Sequence, residues 1–222
     1  MIETLPIIAI IGGTGKEGTG LAIRWAHAGY KIVIGSRQMD KARQTADKIN
    51  LLLGIDNVSG LENKQAAERG DICVLTVLHA FHQQIVESLK DSVSGKILVD
   101  ATSRVDYRDP RPPEPPCAAQ VAQELLGPSV RVAAAFQSVP ANSLYKAIDQ
   151  ALDADVLVCS DDPQAADQVV RLAQAAGMRG YYAGALANAI VVEGLTSILI
   201  SLNKHYNVKN ASVRIVGISE QG

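Results

Sequence analysis

Aromatic residues are scarce in this chain, with one Trp, two Phe and six Tyr among 222 residues. Proteins that stack bases or sugars on aromatic platforms need more, so that class is disfavoured. Neither sign of charge is in excess, with 21 basic against 23 acidic residues and a net charge of −2. A nucleic-acid surface requires a basic surplus to neutralise phosphates, which excludes that partner. Only three cysteines occur, Cys73, Cys117 and Cys159. An odd number at wide spacing gives neither a disulfide framework nor a zinc ribbon. The opening residues carry no basic segment, so a secretory signal is not expected. One long apolar run, Ala183 to Leu202, is interrupted by Asn188, Glu193 and Gly194. A carboxylate there is costly in lipid, so we expect a helix buried in protein, no membrane contact, and a cytoplasmic location.

Several catalytic signatures are missing too. There is no Tyr-x-x-x-Lys pair, no Gly-x-Ser-x-Gly elbow and no His-Glu-x-x-His. His79 and His82 stand three apart after a strand, which makes no metal site without further ligands. His79 reads equally as a cofactor contact and as a solvated loop residue. Cys73 and Cys159 read as small buried hydrophobes. Glu193 reads as a paired structural acid in preference to a pocket carboxylate.

What is present is a globular composition, 47% hydrophobic and 20% charged, and an alternation of strands and helices. Ile7–Ile11 is a continuous apolar run, as a strand buried on both faces should be. Further strands are expected at Lys31–Gly35, Val58–Gly60, Ile72–Val77, Ile97–Asp100, Val130–Ala134, Asp155–Cys159 and Arg179–Ala183. Helices are expected between them, one of them capped by Asp40. A proline-rich loop, Ala101–Pro116, interrupts the alternation. An apolar helix, Leu186–His205, and a short apolar tail, Val213–Ile218, close the chain. Repeated βα units imply an α/β fold with a doubly wound parallel sheet. We expect residues 1–140 to form a nucleotide-binding domain and 141–222 a smaller, mainly helical C-terminal part.

The segment Gly13-Thr14-Gly15-Lys16-Glu17-Gly18 fits G-x-G-x-x-G directly after a strand and at the opening of a helix. In that context Gly13 makes the tight turn, Gly15 lets a pyrophosphate approach, and Gly18 lets the helix pack on the strand. The helix N-terminus offers N–H groups and a positive dipole end to the phosphates. An NAD site wants an acid at the end of the second strand. Here the chain reads Gly35-Ser36-Arg37, with Lys41 one helical turn on. Ser36, Arg37 and Lys41 suit the extra phosphate of NADP. With no acid–base machine evident, the chemistry expected is hydride transfer by positioning of two cofactors, with no side chain as an obligatory proton donor.

These residues give the chain a resemblance to the NADPH-dependent reductases of coenzyme F420, a deazaflavin. The likeness lies in IIGGTGKEGTG (Ile10–Gly20), VIGSR (Val33–Arg37), LTVLHAFH (Leu75–His82) and AAAFQSVPA (Ala133–Ala141). It continues in DADVLVCSDD (Asp153–Asp162), AGALANA (Ala183–Ala189) and LISLNKHYN (Leu199–Asn207). The resemblance implies a Rossmann-like fold, a homodimer, and reversible hydride transfer between NADP(H) and F420. By the same likeness Thr14, Ser36, Arg37 and Lys41 hold NADP, as do Thr76, Val77, Leu78 and His79. Gln137, Ser138, Val139, Pro140, Ala141 and Asn142 then line the deazaflavin pocket, with polar groups on the ring's carbonyl edge. Two other functions remain open at this level. One is NADPH-dependent reduction of another flavin or a small imine; the other is a non-enzymatic NADP sensor.

Overall fold

The computed structural model describes residues 4–146 and 148–218. Met1–Glu3, where the absence of a signal was read, lie outside the described residues. The first eleven elements alternate. They are Ile8–Ile11 (β1), Lys16–His27 (α1), Ile32–Ser36 (β2), Met39–Leu53 (α2), Val58–Glu62 (β3), Asn63–Arg69 (α3), Ile72–Leu75 (β4), His79–Leu89 (α4), Ile97–Asp100 (β5), Ala118–Leu126 (α5) and Arg131–Ala134 (β6). Then follow Asp155–Ser160 (β7), Pro163–Ala175 (α6), Arg179–Tyr182 (β8) and Ala189–His205 (α7). One sheet of eight strands results, in the order β3-β2-β1-β4-β5-β6-β7-β8. This is the α/β, Rossmann-like architecture expected.

Strands β1, β2, β4 and β5 are buried at every position, because helices cover both faces of a parallel sheet. One face packs on Trp25 of α1, Ile49 of α2 and Leu172 of α6. The other packs on Ala67 of α3, Val86 of α4, Ala122 of α5 and Val192 of α7. Trp25 donates its indole N–H to the Leu172 carbonyl at 2.8 Å and meets Phe136 edge to face at 5.7 Å. Such a contact adds to the burial of both rings.

Three expectations need correction. The sheet is not parallel throughout, since β7 pairs with β6 antiparallel, and β8 runs with β7. Between β6 and β7 the chain forms only the short 3-10 turn Ser143–Tyr145, and a parallel return normally needs a long helical crossover. The cap of α2 is Gln38, with Asp40 inside the first turn. The last helix is broken: Leu186–Asn188 is a separate 3-10 turn, its entry fixed by Asp161 accepting from Leu186 N at 2.9 Å. The tail Val213–Ile218 forms no regular element, although the Val213 carbonyl accepts from Asp155 N at 2.9 Å. The sheet itself runs on past residue 140, through β7 and β8.

With its 3-10 lead-in, α7 is long and apolar enough to cross a membrane by length and composition alone. In this fold its inner face is buried and carries the carboxylate of Glu193, which is 1% exposed. Glu193 accepts from Arg104 Nε at 2.8 Å, Arg104 N at 2.8 Å and Ala118 N at 2.9 Å. The acid therefore pins the proline-rich loop and the start of α5 to α7, the structural reading the sequence favoured. The thiols of Cys73, Cys117 and Cys159 are all free and buried.

Arg24 of α1 ties the two ends of the chain together. It is 2% exposed, and its guanidinium donates to the carbonyls of Leu144, Lys146, Gln150 and Ala176. Arg24→Met keeps the side-chain volume and abandons four carbonyls, of which those of Leu144 and Ala176 are in buried bonds. We expect it to cost ~3 kcal/mol or more in denaturant unfolding, since breaking a buried charged network leaves its partners unsatisfied.

Candidate functional site

The sheet order reverses at β1, which has β2 on one side and β4 on the other. The loops leaving β1 and β4 therefore diverge, and ligands bind in the crevice this opens at the carboxyl edge. The glycine turn forms one lip. Gly12 makes the left-handed bend, with φ +75°. The sequence had assigned the tight turn to Gly13. Gly13 is instead a close-approach residue, because a Cβ there would stand 2.7 Å from the Ile10 carbonyl oxygen. Gly18 has the role expected of it. A Cβ on it would lie 2.6 Å from Thr76 Oγ1 and 2.8 Å from Gly13 Cα, so α1 sits directly on β1 and β4.

Gly15 is different. It is exposed, its φ is −74°, and a Cβ would meet only the Gly12 carbonyl oxygen, at 3.5 Å, among the described residues. The fold does not require glycine there; a ligand approaching the backbone would. Gly15 caps α1 without a side chain, so the first-turn N–H groups face outward beside half-buried Thr14 and exposed Lys16.

A cleft of about 290 Å³ runs from this turn towards the end of β2. Its walls include Gly12, Thr14, Gly15, Ser36, Arg37 and Lys41, and on the other side Thr76, Val77 and Leu78. Ser36 is 7% exposed, and its hydroxyl accepts from Gln38 N at 3.2 Å. Arg37 and Lys41 are exposed cations. Glu62, the acid paired in register with Ser36 on β3, is not part of the cleft wall.

Among the cleft residues that the sequence reading missed, two shape the site. The Arg37 guanidinium lies 4.6 Å from the ring centroid of Phe81 on α4. Asn63, at the start of α3, accepts from Gly12 N at 3.3 Å and holds the turn. Phe81 was findable as one of only two phenylalanines, three residues after the LTVL strand end. Asn63 had no local signal, because its contact crosses the sheet. A larger hollow of about 890 Å³ lies beside β8. Its charges pair among themselves, Arg179 with Asp155 and Arg214 with Asp153, and it has no helix N-terminus to receive an anion.

On the far side of β1 from the β2 end, beyond β4, lies β5. There Asp100, fully buried, closes the strand. Its carboxylate lies 2.7 Å from His82 Nε2 and accepts from Thr102 N at 2.9 Å. His82 is thus a buried partner of Asp100, while His79, the first residue of α4, is exposed. Burial pushes the His79 ring below its usual basicity, and Arg104 and His82 add to the effect. On the opposite lip Glu17 is only partly exposed. Burial pushes its carboxyl up to about 8, and the nearby Asp100 charge adds to the effect.

The chain after β6 crosses this end of the sheet. Phe136 takes a left-handed φ of 76°, an uncommon state for an aromatic residue. That bend turns Gln137–Asn142 over the strand ends. Gln137 donates its amide to the Asp100 carbonyl at 2.9 Å, while its own carbonyl accepts from Thr196. Because the Asp100 partner is a carbonyl oxygen, the amide orientation is fixed. Gln137 Oε1 is buried without a partner among the described residues. Gln137 therefore presents an acceptor, where the sequence reading had a group for the ring's carbonyl edge. Ser138 is buried, Pro140 and Ala141 are half-buried, and Asn142 is exposed. Val139 is 7% exposed and belongs to the hydrophobic core.

The two glycines make a direct stability test. Gly15→Val should leave the melting temperature nearly unchanged. Gly18→Val must displace α1 from Thr76 and should lose ~3 kcal/mol or more. Thermal unfolding of both variants checks the contrast.

Comparison with known proteins agrees with this geometry. A family model described as "NADP oxidoreductase coenzyme F420-dependent" matches residues 7–104. The F420-dependent NADP reductase of Methanothermobacter thermautotrophicus is 38% identical, with 96% of each chain covered. That of Methanocaldococcus jannaschii is 36% identical over 95% of this chain and 98% of its own. The crystal structure of an Arthrobacter sp. FB24 protein matches with a TM-score of 0.80 at 22% identity, covering 96% of this chain and all of that one, which shows the shared fold. Glycine turn, β2 end and carboxyl-edge segment all fall within the aligned length, and the chain belongs to the family of F420-dependent NADP reductases.

Proposed function

We propose that this protein catalyses reversible hydride transfer between NADP(H) and coenzyme F420. The observation that carries the reading is the pairing, in one crevice, of an unobstructed Gly15 with two exposed cations at an acid-free β2 end. The first turn of α1 takes the pyrophosphate. Ser36, Arg37 and Lys41 take the 2′-phosphate, and Arg37 with Phe81 offers flat faces to the adenine. Thr76 to His79 border the ribose and nicotinamide side.

NADP(H) and F420 supply the hydride chemistry themselves when bound. The chain's part is to align two flat rings at about 3–3.5 Å and keep water out. Segment Gln137–Asn142, stiffened by Pro140 and bent by Phe136, is the wall against which the deazaflavin rests. Residues 141–222 complete that pocket. We further propose a homodimer, because α7 leaves Val191, Ile198, Leu202 and Tyr206 exposed along one helix. A cytoplasmic setting fits three free buried thiols.

Four measurements test this reading. Mixing the protein with NADPH and oxidised F420 should bleach the deazaflavin absorbance; no bleaching would favour another acceptor or a sensor. NADP should be preferred over NAD by roughly 30- to 1000-fold, as expected for one or two charge-assisted bonds to a phosphate. Arg37→Ala should remove most of that preference. Gly15→Val should abolish NADP binding in calorimetry while remaining folded. Light scattering at micromolar concentration should give the mass of a dimer, and a monomer there would refute the α7 interface.

A further inference from the structure

The two cations at the β2 end are held differently. Lys41 is exposed on α2. Arg37, also exposed, leaves the end of β2 and reaches α4, where its guanidinium carbon stands over the Phe81 ring, 4.6 Å from the centroid. Strands β2 and β4 lie on opposite sides of β1, so the pair bridges the two walls of the cleft, and both side chains line it. Among the described residues no carboxylate pairs with this guanidinium and no hydrogen bond holds it; the Phe81 ring is what it rests on.

Phe81 is well placed to hold a side chain. It is the third residue of α4, and its N–H donates to the Leu78 carbonyl at 2.9 Å, within the turn that opens the helix. Ile85 lies one turn further along the same helix face and lines the same cleft. Behind them Val86 and Leu89 seat α4 in the core. The ring itself remains 36% exposed, so its face is open to a cation.

The chemistry of the holder matters. An acid in place of Phe81 would also hold Arg37, but it would neutralise the cation and occupy the N–H groups that a phosphate needs. The quadrupole of an aromatic ring attracts the guanidinium and leaves its N–H fork free to donate. A long arginine loses rotamer freedom when it grips a ligand; one already held over the cleft loses less, and the difference appears as affinity. That gain goes only to a cofactor with a group for the fork to grip. NADP+ carries the 2′-phosphate there, and NAD+ a hydroxyl.

We propose that Phe81 is a positioning residue for cofactor choice: it holds the Arg37 guanidinium over the cleft for the 2′-phosphate, and so raises the preference for NADP+ over NAD+ by acting through Arg37. The inference rests on the NADP reading above. Any contact of the Phe81 ring with the adenine is common to the two cofactors and cancels in their ratio.

The test is the ratio of the NAD+ and NADP+ dissociation constants, measured by calorimetry with no F420 present. In Phe81→Leu, which keeps an apolar side chain and removes the ring, the preference for NADP+ should fall roughly 3- to 10-fold. Phe81→Tyr keeps the aromatic face and should stay within about twofold of the native preference. In an Arg37→Ala background, Phe81→Leu should change the ratio no further, because the ring then has nothing to hold. A ratio unmoved by Phe81→Leu, as a merely structural role would leave it, overturns the proposal. So does a Tyr variant as impaired as the Leu variant, or an equal loss with and without Arg37. Should Phe81→Leu not fold, Phe81→Met decides by the same criteria. A native protein that binds both cofactors alike refutes the phosphate site and the proposal with it, whereas a native preference that survives Phe81→Leu refutes the part of Phe81 alone. A preference lost with the ring, in a protein that does not reduce F420, leaves Phe81 in its role and discards F420 as the acceptor.

Discussion

The close seating of α1 on β1 and β4 is the constraint on which the site depends. Glycine at 13 and 18 removes the Cβ atoms that would hold the helix off the strands. That places the helix N-terminus over the end of β1, at the one point where the sheet order reverses. The same seating fixes the direction of everything along α1. Trp25 and Arg24 reach under α6 and the Ser143–Tyr145 turn, and the face bearing Gly15 stays open. A helix standing even a methyl group further out would lose the phosphate site and the Arg24 network together.

Asp100 is the second anchor. A buried carboxylate is costly unless its oxygens are occupied, and here His82 and the Thr102 amide occupy them. Its backbone carbonyl accepts from Gln137, so β5, α4 and the segment after β6 converge on one residue. The result separates charge along the crevice. Exposed cations lie at the β2 end, and the buried acid Asp100 lies at the β5 end. A dinucleotide with phosphates at one end and a ring that changes charge at the other is matched by that gradient.

Strand and helix identities, the glycine turn and the basic β2 end were legible in the chain itself. They rest on local chemistry: apolar runs covered on both faces, glycine where a backbone must come close, and a missing acid where a ribose hydroxyl would need one. The antiparallel β7 was not legible, since its direction follows from the lack of a crossover helix, which no strand's own residues encode. Asn63 was invisible as a site residue for the same reason, as was the pairing of His82 with Asp100, each contact being brought together only by the sheet.

The sequence by itself determined the nucleotide end of this protein, because a phosphate is bound by backbone and point charges that lie together along the chain. Tertiary structure alone decided the other end. It put Val139 in the hydrophobic core, bound the Gln137 side-chain amide to the Asp100 carbonyl, and set His82 against the Asp100 carboxylate. Burial and the proximity of charges distant in sequence determine what those side chains do, and both arise only when the sheet has formed.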